Sequence, residues 1–407
     1  GRVVLGLNGL LRVGGDPGNA SNWDPRNARG LLDAARVFGA TLTTSRSLVD
    51  VDSFDGNVDR GDPETGPHNT TRAQSAAALL GVELGNEPGY WHGNGWSSLS
   101  AARHVNDFAA LRAVVSAVFA NRSGAPLIVG PDVAMVPGGG EAGYLADFWA
   151  AVDAESTPDR CSIHVYPLIH SGTIATWADF YNGSRLDRAR ADTRAARAAT
   201  PQAVPLWVDE GSPDWRVEGP LGRNLSFETA FVDMAGGIAA EGGMLFARQC
   251  LNSVINPGEP AAPGFWAVYV WKQLMGTEVR AVAVGSTLDG RQPVRAYCHH
   301  TRGDSALVPS AAVPDLGLTV LLINLNAVAV TVDVAVANAT VAAGSVRHEF
   351  HFGPGDGVDT ITVNGITPHF AAGSSAPPTL PALIADASAP VVVAPRAFVF
   401  VVLPQVV

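Results

Sequence analysis

Gly81-Val82-Glu83-Leu84-Gly85-Asn86-Glu87-Pro88 begins as an apolar strand and stops at a carboxylate followed by a proline. The alternation of Val82 and Leu84 with their neighbours is typical of a strand, and Gly85 to Pro88 is typical of a turn. A second stretch, Pro205-Leu206-Trp207-Val208-Asp209-Glu210-Gly211, follows the same plan. Each stretch precedes a predicted helix, so the sequence predicts strand–loop–helix units with a glutamate at the end of the strand.

The same alternation of strand and helix extends over residues 1–275 and predicts parallel βα units in an α/β fold. We interpret them as a (β/α)8 TIM barrel that lacks its first two βα units in this chain, because a complete barrel needs eight strands. An open doubly wound sheet is the alternative, but no glycine-rich phosphate loop follows any strand. The predicted strands are Val3–Leu10, Gly81–Glu87, Leu127–Asp132, Cys161–Tyr166, Pro205–Glu210 and Gly243–Arg248. The predicted helices are Asn27–Phe38, Ser98–Ala120, Ala142–Ala154, Gly183–Ala199 and Phe227–Glu241.

Valine-rich alternating segments replace this pattern after residue 275, and they predict an antiparallel β-sandwich. We therefore expect a catalytic barrel at 1–275 and a C-terminal β-sandwich domain at 276–407. Residues 41–72 are polar and fit neither pattern, so we interpret them either as a long surface insertion in the barrel or as an artefact of the gene model. The predicted strands of the sandwich are Val279–Val284, Val294–Cys298, Leu318–Asn324, Val328–Val336, Val346–Phe352, Thr360–Val363 and Ala397–Leu403.

Two glutamates at strand ends suit the chemistry of a retaining glycosidase. That reaction needs one carboxylate as nucleophile and one carboxylic acid that protonates the leaving oxygen, about 5–5.5 Å apart. Asn86 suits a hydrogen bond to the sugar 2-hydroxyl, and Tyr166 suits donation to the nucleophile. We place His164 in the same network and give Asp132 at most a supporting role. The alternative is that these side chains form a satisfied polar network inside a barrel.

The ordered set of motifs resembles heparanase-type enzymes of glycoside hydrolase family 79. The resemblance implies a (β/α)8 barrel with a flanking β-sandwich, and retaining cleavage next to β-linked glucuronic acid. By motif match it implies that Glu87 is the acid/base and Glu210 the nucleophile, with Asn86, His164 and Tyr166 at supporting positions. The matching segments are Gly6–Arg12, Glu83–Pro88, Gly130–Val133, His164–Tyr166, Trp207–Glu210, Arg248-Gln249, Lys272–Thr277 and Ile323–Asn326.

Several departures from the family bear on substrate and partners. Family members carry two βα units before the strand that matches Val3–Leu10, so we expect either a fragment or a separate N-terminal chain that completes the barrel. The loop after Arg248-Gln249 is shorter than in heparanase and lacks a tyrosine that helps to hold the uronate. Basic clusters that would grip heparan sulfate are also missing. Retaining hydrolysis is therefore better supported than heparan sulfate as the substrate.

Composition and short motifs define the compartment and exclude some partners. The net charge is −11 and the only lysine is Lys272, so we expect no nucleic-acid partner. His299-His300 and the pair His348 and His351 lack accompanying ligands, so we expect neither a metal nor a cofactor. Six N-x-S/T sequons, where chance predicts roughly two, indicate a glycosylated protein that is secreted or lysosomal-vacuolar. They lie at Asn19, Asn69, Asn121, Asn182, Asn224 and Asn338.

Three functional hypotheses follow. The first is a heparanase-like retaining hydrolase that cleaves β-linked glucuronic acid in a glycan or proteoglycan, with peripheral attachment to a membrane or to extracellular matrix left open. The second is an inactive, heparanase-like glycan-binding protein. The third is a retaining hydrolase of another β-glycoside, since a fold and a carboxylate pair do not choose the sugar.

Overall fold

The computed structural model divides the chain into two compact units. The first is Gly1–Asp132 with Asp147–Cys161, and the second is Val133–Ala146 with Ser162–Val407. The predicted insertion 41–72 and nearly all of the predicted helix Asn27–Phe38 lie outside the described residues. The described residues are 2–7, 23, 25–26, 28–29, 32, 78–90, 99–120, 125–135, 141–169, 176–214, 224–249, 261–285, 294–308, 317–337, 344–357, 359–370 and 378–403.

Within the first unit, β1, β2 and β3 are hydrogen-bonded neighbours in that order. β1 and β2 pair in parallel, with Leu7 opposite Leu84, and β2 and β3 pair in parallel, with Gly81 opposite Leu127. Parallel neighbours need a crossover connection, and α1 lies between β2 and β3 in the chain. The elements are β1 Arg2–Leu7, β2 Ala78–Leu84, α1 Ala101–Val118, β3 Leu127–Met135, α2 Glu141–Ala151 and β4 Arg160–Val165, and the last three cross the boundary between the units.

Helix α1 supplies the apolar core of the first unit. The Ser100 hydroxyl caps its start by accepting from the Arg103 amide. Buried side chains then recur every three or four residues, which places them on one face of the helix. The Phe108 ring meets the Phe148 ring of α2 edge-on, with centroids 5.4 Å apart. The buried apolar face comprises Val105, Phe108, Leu111, Val115 and Val118.

In the second unit β4, β5 and β6 are hydrogen-bonded neighbours in that order, and β5 and β6 pair in parallel. Each strand follows a helix: α3 Gly183–Ala199 precedes β5 Leu206–Gly211, and α4 Leu225–Ala240 precedes β6 Gly243–Arg248. An asparagine caps the start of both helices. The side-chain oxygens of Asn182 and Asn224 accept hydrogen bonds from backbone amides of the first turn. No helix within the described ranges is long and apolar enough to cross a membrane.

An antiparallel sheet of seven strands follows, in the order β12-β11-β15-β9-β8-β7, with β13 also paired to β11. A second sheet pairs β10 with β14. The strands are β7 Met275–Arg280, β8 Arg295–Thr301, β9 Leu318–Asn324, β10 Val330–Val332, β11 Val346–Pro354, β12 Ile361–Val363, β13 Leu383–Asp386, β14 Val391–Val393 and β15 Ala397–Leu403.

The central strand β15 is buried along its whole length because both faces of the large sheet are covered. One set of alternate residues, including Phe398 and Phe400, shares a core with α4 and with α5 Pro263–Leu274. The other set, including Val399 and Val401, packs with the valines of β10 and β14. Helices and both sheets therefore form successive layers around β15 within this unit.

The structure confirms an α/β fold with parallel strands followed by antiparallel sheets. Barrel closure, the two missing βα units and a domain boundary at residue 275 stay predictions. The strand predicted at Val279–Val284 was placed wrongly: the strand is Met275–Arg280, and residues 281–285 are exposed outside regular structure. Helix α5 was not predicted because its aromatic and β-branched residues are typical of strands. Strands β13 and β14 were also missed, because segments of three or four residues carry too little periodicity.

Buried polar side chains attach α4 to the large sheet. Asp233 of α4 accepts from the Arg295 guanidinium at 2.5 Å and from the Tyr297 hydroxyl at 2.7 Å. Gly236, one turn later, lies against the Tyr297 ring, and a Cβ there would be 2.3 Å from its carbons. The helix and the strand therefore approach each other at a distance that only glycine allows.

Two of the three cysteines are buried thiols. Cys161 and Cys298 are both buried, and Cys250 lies outside the described residues. Burial raises the pKa of the Cys298 thiol to about 11, so the reactive thiolate is scarce at neutral pH. Cys298 therefore acts as a small apolar side chain in the sheet core.

Asp192 is a buried carboxylate on α3, only 4% exposed. Arg188 donates to its Oδ1 atom at 2.6 Å, while its Oδ2 atom is buried with no hydrogen-bond partner among the described residues. Burial raises the pKa of Asp192 to about 6. The folded state thus favours the protonated form, so the contribution of Asp192 to stability is full below the ordinary pKa of 3.8 and is lost as pH rises through about 6.

We therefore expect Asp192→Asn, which stays neutral, to gain stability relative to wild type as pH rises. The free-energy difference should grow by about 2 kcal/mol between about pH 4 and pH 8, measured by urea unfolding. Asp147→Asn, at an exposed position of α2, is the control and should show no such trend. A difference for Asp192→Asn that does not change with pH would contradict this assignment.

Candidate active site

An irregularity at the end of β5 directs two carboxylates out of the ladder with β6. The register shifts between Val208 and Gly211, so Asp209 and Glu210 have no partner residue in β6. Bulges of this kind re-aim side chains and occur beside active sites. Gly211 then re-enters the ladder opposite Arg248, and its carbonyl accepts from the Gln249 amide at 3.0 Å. The end of β6 therefore fixes the backbone directly after Glu210.

Gly211 is packed so closely that no larger residue fits. A Cβ there would lie 2.8 Å from the Val165 carbonyl oxygen and 2.9 Å from side-chain carbons of Met234 and Phe246. The end of β5 is thus clamped against the end of β4 and against α4. This packing explains why glycine follows the glutamate in the second sequence motif.

The end of β4 supplies the partners of Glu210. The Tyr166 hydroxyl donates to Glu210 Oε1. His164 Nδ1 lies 3.7 Å from the same oxygen, and its Nε2 lies 4.0 Å from Asp209 Oδ1. These distances exceed hydrogen-bond length, so His164 packs beside the two carboxylates without a direct hydrogen bond to either of these oxygens. Tyr166, His164 and Glu210, the three candidates predicted from the sequence, lie close together in the structure.

The carboxylates of Asp209 and Glu210 differ in their exposure to solvent. The Glu210 side chain is 29% exposed, the Asp209 side chain 12% and the His164 side chain 2%. A ligand can therefore reach Glu210, whereas His164 is buried. An accessible carboxylate with one oxygen held by a phenol is pre-oriented for nucleophilic attack or for binding a cation or a hydroxyl group.

The arginine at the end of β6 is committed to a buried ion pair. Arg248 donates from both terminal nitrogens to Glu228 of α4, at 2.6 and 3.0 Å, and both side chains are almost fully buried. Its guanidinium also lies over the rings of Phe227 and Phe231. Glu228 was not selected from the sequence, because nothing local marks a glutamate inside an apolar helix as the partner of a distant arginine.

Glu87 lies in the first unit, three residues after the end of β2. Its backbone is left-handed, with φ 46°, and Gly85 before it has φ 91°. A non-glycine residue in this region is uncommon and costs about 1–2 kcal/mol. Such strain persists where the surrounding structure enforces it, and it concentrates at functional sites.

A backbone hydrogen bond holds that conformation. The Glu87 amide donates to the Asp132 carbonyl at 2.9 Å, and Asp132 is itself left-handed, with φ 63°. Asp132 follows a cis Gly130–Pro131 bond and is 2% exposed, whereas Asn86 is exposed. The structure thus joins the predicted residues Glu87 and Asp132 through their main chains, which the sequence did not indicate.

The predicted glycosylation sites differ in accessibility. Asn182 is partly buried at the start of α3, and Asn224 is 3% exposed at the start of α4. Attachment of a glycan needs an exposed amide, so the burial of Asn224 disfavours it at that site. The other four, Asn19, Asn69, Asn121 and Asn338, lie outside the described residues.

Comparison with known proteins agrees with the resemblance seen in the motifs. The chain is 26% identical over 347 residues to heparanase-like protein 3 of Arabidopsis thaliana, covering 81% of this chain and 58% of that protein. It therefore spans less than two thirds of the length of this relative. No family model matches the chain.

Solved structures share the fold at low identity. A 4-O-α-L-rhamnosyl-β-D-glucuronidase from Fusarium oxysporum has a TM-score of 0.54 and 18% identity, over 80% of this chain and 70% of that one. A bifunctional glucanase–xylanase from a metagenome library has a TM-score of 0.53 and 13% identity, over 80% and 65%. Together the comparisons support a relationship to heparanase-like proteins and a fold that glycoside hydrolases use.

The left-handed backbone of Glu87 leads to a test by substitution. Glu87→Gly and Glu87→Ala both remove the carboxylate, but only glycine adopts φ 46° without strain. We expect the glycine variant to be more stable than the alanine variant by about 1 kcal/mol in urea unfolding. At the exposed helical position Asp147 the order should reverse, with glycine about 1 kcal/mol less stable than alanine. Equal stabilities of the two Glu87 variants would argue against the left-handed conformation.

Proposed function

We propose that this protein is a retaining glycoside hydrolase that cleaves β-linked glucuronic acid in a glycan or proteoglycan. Glu210 is the nucleophile and Glu87 the acid/base. The orientation of Glu210 by the Tyr166 hydroxyl carries this proposal. The order of the sequence motifs and the similarity to a heparanase-like protein support it further.

The first step follows from the chemistry of the two carboxyl groups. Glu87 donates its proton to the glycosidic oxygen as the bond to the anomeric carbon breaks, and a Glu210 carboxylate oxygen bonds to that carbon. Tyr166 holds one oxygen of Glu210, so the carboxylate meets the sugar in a fixed orientation.

The second step returns both groups to their starting states. Glu87, now a carboxylate, takes a proton from water, the water oxygen bonds to the anomeric carbon, and the ester to Glu210 breaks. Attack occurs twice, from opposite faces, so the sugar keeps its configuration. Retention requires the two carboxyl groups to lie about 5–5.5 Å apart.

The other predicted residues take supporting roles in this proposal. Asn86, exposed beside Glu87, hydrogen-bonds the sugar 2-hydroxyl. His164 and Asp209 contribute to the electrostatic environment of the nucleophile. Asp132 supports Glu87 through its carbonyl oxygen.

The natural setting is part of the same proposal. We place the protein in the secretory pathway because of its sequons, and we propose that N-terminal βα units on the same or another chain complete the barrel. The short loop after Arg248-Gln249, without the uronate-binding tyrosine, favours a second candidate function, which is retaining hydrolysis of another β-glycoside.

The sugar can be assigned with a panel of substrates. We expect the full-length protein to hydrolyse 4-nitrophenyl β-D-glucuronide faster than the matching glucoside, galactoside and xyloside. Preference for one of the other sugars would overturn the specificity and keep the mechanism. No turnover of the panel or of heparan sulfate by the folded protein would overturn the enzymatic proposal.

The roles of the two glutamates are separated by the products formed with azide. Glu210→Ala and Glu87→Ala should each lose on the order of a thousandfold or more in turnover. With azide, Glu210→Ala should yield a glycosyl azide of inverted configuration, because azide replaces the missing nucleophile. Glu87→Ala should yield one of retained configuration, because azide replaces water in the second step. NMR of the products distinguishes the two anomeric configurations. Full activity of either variant would show that the substituted glutamate has no role in the mechanism.

A further inference from the structure

His104 is a buried histidine on α1 that the proposed mechanism leaves without a role. It is 1% exposed, although histidine is usually found at least partly at the surface. Its ring lies between two aromatic rings, with centroids 4.9 Å from Phe108 and 5.7 Å from Phe148. A polar ring in such a place needs hydrogen-bond partners, because burying it without them is costly.

One partner is the last residue of β2. His104 Nε2 lies 3.2 Å from the carbonyl oxygen of Leu84. A carbonyl only accepts, so Nε2 carries the proton and donates it, whatever the state of the other ring nitrogen. The histidine thereby fixes the point at which the chain leaves the strand for Glu87.

Only Gly85 and Asn86 separate this point from Glu87. On the far side the Glu87 amide donates to the Asp132 carbonyl. The strained turn therefore has two anchors, His104 before it and Asp132 after it. Loss of either anchor lets the left-handed Glu87 relax, because strain persists only where its surroundings enforce it.

Helix α1 braces the second anchor as well. Phe108 follows His104 by one helical turn and packs against Gly130, where a Cβ would lie 2.1 Å from the ring. Gly130 is two residues before Asp132. One turn of α1 thus supports both segments that hold Glu87, and His104 does so through a directed hydrogen bond.

We infer that His104 is a positioning residue for the acid/base Glu87, acting through the Leu84 carbonyl. This inference rests on the proposed function. A misplaced acid should lower the rate of the first step by different factors for different substrates. A good leaving group departs without being protonated, whereas a poor leaving group must be protonated before it departs. A defect in folding or in sugar binding would lower turnover of all leaving groups alike.

The test measures kcat/KM, which reports the first step, for 2,4-dinitrophenyl, 4-nitrophenyl and phenyl glycosides of the preferred sugar. We expect His104→Leu to lose about tenfold or more on the phenyl glycoside and less than about twofold on the dinitrophenyl glycoside. His104→Gln, whose amide nitrogen can reach the Leu84 carbonyl, should regain most of the loss, and the shorter His104→Asn should not. If the leucine variant does not fold, the comparison of His104→Gln with His104→Asn still tests the role of the hydrogen bond.

Val118→Ala, another buried substitution on α1, controls for general damage to the helix. It should lower kcat/KM equally for all three leaving groups or not at all. An equal loss across the series for His104→Leu, or a His104→Gln variant no better than His104→Asn, would overturn the inference. If Glu87→Ala itself shows no dependence on the leaving group, the proposed function fails rather than the role of His104.

Discussion

The hydrogen bond from Tyr166 to Glu210 joins the ends of two neighbouring strands, and the surrounding packing serves to hold it. Glu210 reaches the hydroxyl because the register of β5 shifts before Gly211. Gly211 fits only because it has no side chain, and the Gln249 amide holds it from β6. A carboxylate that is both accessible and fixed therefore depends on how the ends of β4, β5 and β6 pack against one another.

Glu87 is held by different means. Its orientation comes from a left-handed backbone, an amide bonded to the Asp132 carbonyl, and a helix whose histidine binds the end of β2. A strained backbone is a costly way to hold a side chain, and it persists because buried aromatic packing stands behind it. Both glutamates thus take their orientation from the main chain at a strand end, one by a bulge and the other by a turn.

Much of this arrangement follows from the sequence, because the hydrophobic pattern decides where a buried strand ends and which polar residue comes next. Glu87, Glu210, His164 and Tyr166 were selected as candidates in this way. Contacts between distant residues, such as Arg248 with Glu228 and His104 with Leu84, have no local signal, and they were not found. Helix α5 was missed for a related reason: burial on most of its sides selects aromatic and β-branched residues, which hides the helical period.

Strand β15 has a further consequence, which concerns the order of synthesis. It lies at the centre of the large sheet between β11 and β9, yet it is made after every other described strand of that sheet. Until residues 397–403 leave the ribosome, β9 and β11 have no neighbour between them, and α4 and α5 lack part of the apolar surface that covers them. The second unit therefore completes its core after translation of β15, and nascent chains expose an apolar surface that suits chaperone binding.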